Sequence, residues 1–123
     1  MKPKTYLIDI DGTLFLHLGE GATIQWSAYP IVLPGVHEFL DQIEAEGAHI
    51  VLVTARPECC RAKLVEHLAK ENIYYHQLLM GVTSGQRVLI NDAKPGRADR
   101  SAVSVVVERN AGLGDLIRKP THE

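Results

Sequence analysis

The chain has 123 residues, of which 46% are hydrophobic and 23% charged, with a formal net charge of −2 at pH 7. That length predicts one domain, residues 1–123, with a core large enough to fold without disulfide or metal staples. The near-neutral balance offers no electrostatic footprint for nucleic acid, which is therefore not expected as a partner. The two cysteines, Cys59 and Cys60, are adjacent and cannot cross-link distant parts of a fold, which points to a reducing, cytoplasmic setting. The start, MKPKTYLIDIDG, lacks a long uncharged apolar run, so neither a signal peptide nor a membrane span is expected.

Residues 5–10, TYLIDI, are β-rich and nearly continuous in apolar character, as in a strand buried on both faces of a parallel sheet. Residues 15–33 mix periodicities and contain two glycines, and read as a loop or short flap. From Val36 the rhythm changes: Val36, Phe39, Leu40 and Ile43 fall at helical spacing, with Gly47 as a C-terminal cap. HIVLV, residues 49–53, reads as a second buried strand. Pro57 opens another helix, with Leu64, Val65 and Leu68 on its apolar face and an end near Asn72. Residues 74–80, YYHQLLM, are consistent with a short strand. RVLIN, residues 87–91, and SVVV, residues 104–107, read as two more strands, and Leu113, Leu116 and Ile117 as a short final helix. Residues 118–123 form a loose tail.

Strands alternating with helices predict an α/β domain: a Rossmann-like, three-layer fold with a mostly parallel central sheet. Ligands of such sheets bind beyond the carboxyl ends of the strands. Three polar clusters follow three predicted strands there: DIDGT, TARPE and NDAKPG. Asp9 and Asp11, two apart, share a side of the first strand. Gly12 permits a sharp turn whose amides can form an anion-binding concavity. Thr54 adds a hydroxyl and Asp92 a third carboxylate. Clustered carboxylates repel one another unless a cation sits among them, and hard oxygen donors suit Mg²⁺ with a substrate phosphate. Metal, amides and hydroxyl describe a phosphoryl site, in which one carboxylate attacks and the other trades protons.

These residues resemble a known family. DIDGTL is similar to the first motif of the haloacid dehalogenase superfamily, LPGVHEFLDQIEAEGAHIVLVTAR to its run into the second, and VLINDAKPG to the fourth; together they cover residues 5–107. The resemblance implies a phosphatase working through an aspartyl-phosphate, with Asp9 the nucleophile and Asp11 the general acid/base. It implies Mg²⁺ held by Asp9, the Asp11 carbonyl and Asp92, with Thr54 hydrogen-bonded to the phosphoryl oxygens. Gly12, Ala55, Arg56 and Lys94 would border the substrate. The fourth motif departs from the pattern: Asn91 stands where a second acid is usual, and the next acid is Asp99. The basic third-motif residue is assigned first to Arg87, then to Lys94, then to Lys63. Residues 15–33 are too short for a large cap domain, which resembles the capless group, where substrates can be large or a neighbouring subunit closes the site; with Trp26 and Tyr29 in this stretch, a homo-oligomer is the expectation on the second of these.

Each feature also has a plainer reading. Asp-Gly pairs mark turns, and Asp92 ahead of Pro95 suits an Asx-turn. Thr54 can simply finish a strand. Arg87 and Arg56 can be solvated surface groups. Vicinal cysteines lack zinc-ligand spacing and read as packing residues. His17 has surface and substrate readings, and Trp26, Tyr29 and Phe15 line either a substrate platform or a core edge or subunit interface. The expected activity is Mg²⁺-dependent hydrolysis of a small-molecule phosphate ester, a sugar phosphate or related metabolite. The alternatives are a phosphatase for nucleic-acid ends and a non-catalytic module that binds phospho-ligands.

Overall fold

The structure is a computed structural model that describes residues 2–19, 22–96 and 101–118. Asp99 and residues 119–123 of the expected tail lie outside the described residues. Strand β1, Thr5–Asp9, pairs in parallel with β2, His49–Val53, in a register that sets Thr5 opposite His49 and Asp9 opposite Val53. Strand β3, Gln77–Leu79, joins the other side of β2, again in parallel, giving the order β1-β2-β3. β2 is therefore the central strand, and four of its five residues are buried on both of its faces. This explains why HIVLV is a continuous apolar run with no polar alternation.

Helix α1, Ala22–Ser27, lies inside the stretch read from sequence as a loop or flap. Its six residues are too few to establish a helical period against the flanking glycines. Helix α2, Val36–Ala45, buries Val36, Phe39, Leu40 and Ile43, and Gly47 follows its end with φ 80°. Helix α3, Arg61–Lys70, buries Leu64, His67 and Leu68; Val65, expected on that face, is exposed. A 3-10 turn over Glu58–Cys60 leads into α3, and Asn72, at φ 56°, follows its end. The side chains of α2 and α3 join Ile8, Ile50 and Leu52 in one core, with Tyr6 edge-on to Phe39 at 5.8 Å. Leu7 and Leu79, pointing to the opposite face of the sheet, are exposed.

The two later strands expected from sequence are absent among the described residues. Residues 87–91 and 104–107 form no ladder, and Val88, Leu89, Ile90, Val105 and Val106 are exposed, Ile90 to 90%. A short apolar run has the composition of a buried strand whether or not the fold provides a neighbour to pair with. The chain then returns to the core. Leu113 is buried, and a 3-10 turn over Gly114–Leu116 stands where a short final helix was expected.

That return is fastened to the loop before α2. Leu113 N–H donates to the Pro34 carbonyl at 2.9 Å, and Gly112, at φ 83°, lies so close that an added Cβ would stand 2.1 Å from the Pro34 oxygen. Gly112→Ala should therefore combine left-handed strain with a backbone clash and cost about 2–3 kcal/mol or more in a urea melt. Gly114→Ala meets nothing within 4 Å, and should change stability by no more than about 0.5 kcal/mol.

Candidate functional site

β1 and β2 run parallel, so the residues at their carboxyl ends emerge at the same edge. Asp9 ends β1, Asp11 follows it, and Thr54 to Arg56 follow β2. Together with His17, Gly19, Gln25, Trp26, Ser84, Arg87 and Arg109 they line a cleft of about 430 Å³. Two of the three expected clusters thus converge. The third does not: Asp92 is exposed and paired with Lys94 at 2.5 Å, and neither residue lines the cleft. With residues 87–91 outside the sheet, no ladder fixes Asp92 beside Asp9. Of the candidates for the basic third-motif role, only Arg87 reaches the cleft, where its Nη1 stands 3.6 Å from Asp9 Oδ1. Lys63 borders a separate hollow with Trp26, Cys59 and Cys60. The two cysteines are free thiols, and Cys59 is exposed rather than packed.

The turn after β1 is held by its own backbone. The N–H groups of Thr13, Leu14 and Phe15 all donate to the Ile10 carbonyl, at 3.2, 2.8 and 3.0 Å, and Gly12 N–H donates to Phe15 at 2.7 Å. These amides are already used, so the expected anion-binding concavity is not formed by them. Gly12 has φ 91°, a conformation that glycine adopts without strain. Thr13 Oγ1–H donates to Asp9 Oδ2 at 3.2 Å.

Asp9 and Asp11 differ sharply in setting. Asp9 is partly exposed to the cleft; burial pushes its carboxyl above the ordinary carboxylate range, opposed by the Arg87 charge and the Thr13 hydrogen bond. Asp11 is gripped. Arg56 Nε–H donates to its Oδ2 at 3.0 Å and Nη2–H to its Oδ1 at 2.7 Å, a two-pronged charged pair, while Gln25 Nε2–H donates to Oδ1 at 2.8 Å. Arg56 is 1% exposed, so the solvated surface reading does not describe it, while it still borders the cleft. Its Nη1 is buried with no hydrogen-bond partner. Thr54 is buried, and its Oγ1 accepts the Arg56 N–H at 3.1 Å, which leaves the hydroxyl proton to be donated elsewhere.

Gln25 and Arg109 belong to no motif in the sequence, yet both line the cleft. Gln25 also donates to the Leu16 carbonyl at 3.1 Å and accepts the Leu18 N–H at 2.6 Å, so α1 ties the flap to Asp11. A buried glutamine on a six-residue helix leaves no periodic trace. Arg109 comes from the returning chain, far from the other site residues in sequence. The aromatic candidates separate. Trp26 lines the cleft, Phe15 is fully buried in the core, and Tyr29 donates its hydroxyl to Glu71 at 2.5 Å while packing on His67 at 5.0 Å.

Among the described residues, no group of three His, Cys, Asp or Glu side chains could hold a metal by itself. Asp9 is the one carboxylate of the expected set that faces the cleft without a full complement of protein partners. Such a donor set suits Mg²⁺ only when a phosphate supplies further oxygens, as this ion commonly allows.

No family model matches the chain, and no curated protein matches it. Among solved structures, it is similar to a chain of the "Pnkp1/Rnl/Hen1 complex", with a TM-score of 0.55 and 29% identity over 70% of this chain and 30% of that one. It is likewise similar to a chain in the "Pnkp1/Rnl/Hen1 RNA repair complex", with a TM-score of 0.55 and 30% identity over 69% of this chain and 28% of that one. The protein thus spans less than a third of each matched chain. The expectation that nucleic acid is not a partner finds no support in these likenesses. Among the described residues no helix is long and apolar enough to cross a membrane.

Two outcomes follow from this geometry. Removing Arg56 leaves the Asp11 charge buried without its main partner. Arg56→Ala should therefore lose about 3–5 kcal/mol of unfolding free energy, read from denaturant titration. For Asp9, whose folded-state pKa is raised, the carboxyl's contribution to stability is fully present below its unfolded pKa and is lost as pH rises through the folded one. Asp9→Asn should be more stable than the wild type at neutral pH in metal-free buffer, with the gap in Tm closing as pH falls through the carboxylate range.

Proposed function

We propose that the chain is a phosphomonoesterase domain of haloacid dehalogenase type, acting on phosphorylated nucleic-acid ends. The observation that carries the chemistry is Asp9: a carboxylate at a strand end, partly exposed in the cleft, with Thr13 and Arg87 beside it and Thr54 across the same lining. The substrate class is drawn from the likeness to components of an RNA repair complex.

In this reading an Asp9 oxygen attacks phosphorus, the bond to the leaving oxygen breaks, and the phosphoryl group rests on Asp9 until water removes it. Arg87 offsets charge on the phosphoryl oxygens, and the Thr54 hydroxyl donates to one of them. Asp11 gives a proton to the leaving oxygen and later takes one from water. Both of its oxygens are engaged by Arg56 and Gln25. To act as the acid, Asp11 must therefore release at least one of these bonds and carry a proton on the freed oxygen before the leaving group departs. Mg²⁺ would be held by Asp9 and the Asp11 carbonyl and would neutralise phosphate charge.

A metabolite phosphatase is the second reading, favoured by the cleft volume of about 430 Å³, the size of a small-molecule pocket. Phosphate release from RNA and DNA oligonucleotides with phosphorylated ends, measured beside a panel of sugar phosphates and nucleotides, separates the two. Preference for the oligonucleotides supports the nucleic-acid reading, and preference for sugar phosphates replaces it. No turnover of any ester, aryl phosphates included, leaves a binding module.

Chelation with EDTA should abolish activity and Mg²⁺ should restore it; full activity in metal-free protein rejects the metal. Because the protein offers so few donors, Mg²⁺ binding measured by calorimetry should strengthen markedly when phosphate is present. Asp11→Asn, acid-quenched during turnover of an aryl phosphate, should accumulate a phosphoryl group on the Asp9 peptide in mass spectra. A label on another residue would remove Asp9 as the nucleophile.

A further inference from the structure

Arg109 is placed with more care than a surface arginine needs. The next residue, Asn110, sits in the left-handed region at φ 66°, and its N–H donates to the Gly12 carbonyl at 2.8 Å. Its side chain accepts the His17 N–H at 2.7 Å and donates back to the His17 carbonyl at 3.1 Å. Three hydrogen bonds thus pin the returning chain to the catalytic turn. They leave the Arg109 stem lying on Gly12, where an added Cβ would stand 3.2 Å from Arg109 Cγ. Arg109 lines the cleft, and no acidic side chain among the described residues forms an ion pair with it. Arg87, by contrast, is already directed at Asp9. Of the three arginines that line the cleft, Arg56 is bound to Asp11 and Arg87 stands beside Asp9, which leaves Arg109 as the one with no acidic partner among the described residues.

We propose that Arg109 binds a second anionic group of the substrate, the phosphodiester next to the terminal phosphate. This rests on the reading of the cleft as a site for nucleic-acid ends. A terminal monophosphate has a single anionic group, which the part of the cleft with Asp9, Thr54 and Arg87 would take; a strand carries another phosphate one nucleotide away. Trp26 lines the same cleft and offers a ring on which a base can stack, a mode that serves single strands of any sequence. An arginine fork is suited to phosphate oxygens in a way that a lysine is not.

The test is binding rather than turnover. In the Asp9→Asn background, fluorescence anisotropy follows a short labelled RNA oligonucleotide with a terminal phosphate, and a nucleoside monophosphate competes with it. Adding Arg109→Ala should weaken oligonucleotide binding by about tenfold or more, while the competitor's affinity changes by no more than about threefold. The slope of log affinity against log salt should fall by about 0.7, the value for one single-strand phosphate contact. Arg109→Lys should retain the slope and recover part of the affinity. Equal weakening of both ligands would assign Arg109 to the terminal phosphate and overturn the proposal. So would unchanged oligonucleotide binding, or an Asp9→Asn protein that binds the oligonucleotide no better than the monophosphate. If Arg109 behaves as expected but the wild-type protein releases no phosphate from the same oligonucleotide, the phosphatase reading falls and this one stands.

Discussion

The site is organised around the buried pair of Arg56 and Asp11. The guanidinium follows β2 and the carboxylate follows β1, so the two-pronged contact locks the ends of adjacent strands together at the edge where the cleft opens. A charged arginine at 1% exposure is sustainable only because the carboxylate meets it with two hydrogen bonds. Its remaining nitrogen, Nη1, is left without a partner. Gln25 extends the same contact outward, fixing α1 and the flap to Asp11. The division between the two aspartates follows: Asp11 is enclosed by donors, and Asp9 is left facing the cleft.

The carboxyl-terminal part of the chain has a matching role on the other side of the turn after β1. Residues 107–118 return to the core through Val107, Leu113, Leu116 and Ile117. Gly112 and Leu113 bind against Pro34, and Asn110 clamps Gly12 and His17. Arg109 is delivered to the rim of the cleft by this anchorage. The turn after β1 is therefore braced from two directions, by Arg56 through Asp11 and by Asn110 through Gly12.

Between these anchors, residues 87–91 and 103–106 present an apolar surface to solvent, with Ile90 and Val106 about nine-tenths exposed. β1 is an edge strand in the three-stranded sheet, and Leu7 beside that edge is exposed as well. The contrast with β2 is instructive. HIVLV and VLIN are similar in composition, yet one is the central strand and the other pairs with nothing among the described residues.

The elements legible in the sequence were those set by local rules. HIVLV is legible to its boundaries because a strand covered on both faces needs apolar residues throughout. The face of α2 was legible from four apolar residues at helical spacing, and its end from Gly47, whose φ of 80° suits glycine. The meeting of Asp9, Asp11 and Thr54 followed from parallel strands ending at one edge. Tertiary structure alone decided the rest. It sealed Asp11 with Arg56 and Gln25, kept Asp92 with Lys94 outside the cleft, and brought Arg109 to Gly12 from the far end of the chain. The physical reason is that apolar periodicity records burial on a strand or helix. The partner of a polar side chain, and the neighbour an apolar run pairs with, depend on contacts between distant residues that leave no local pattern.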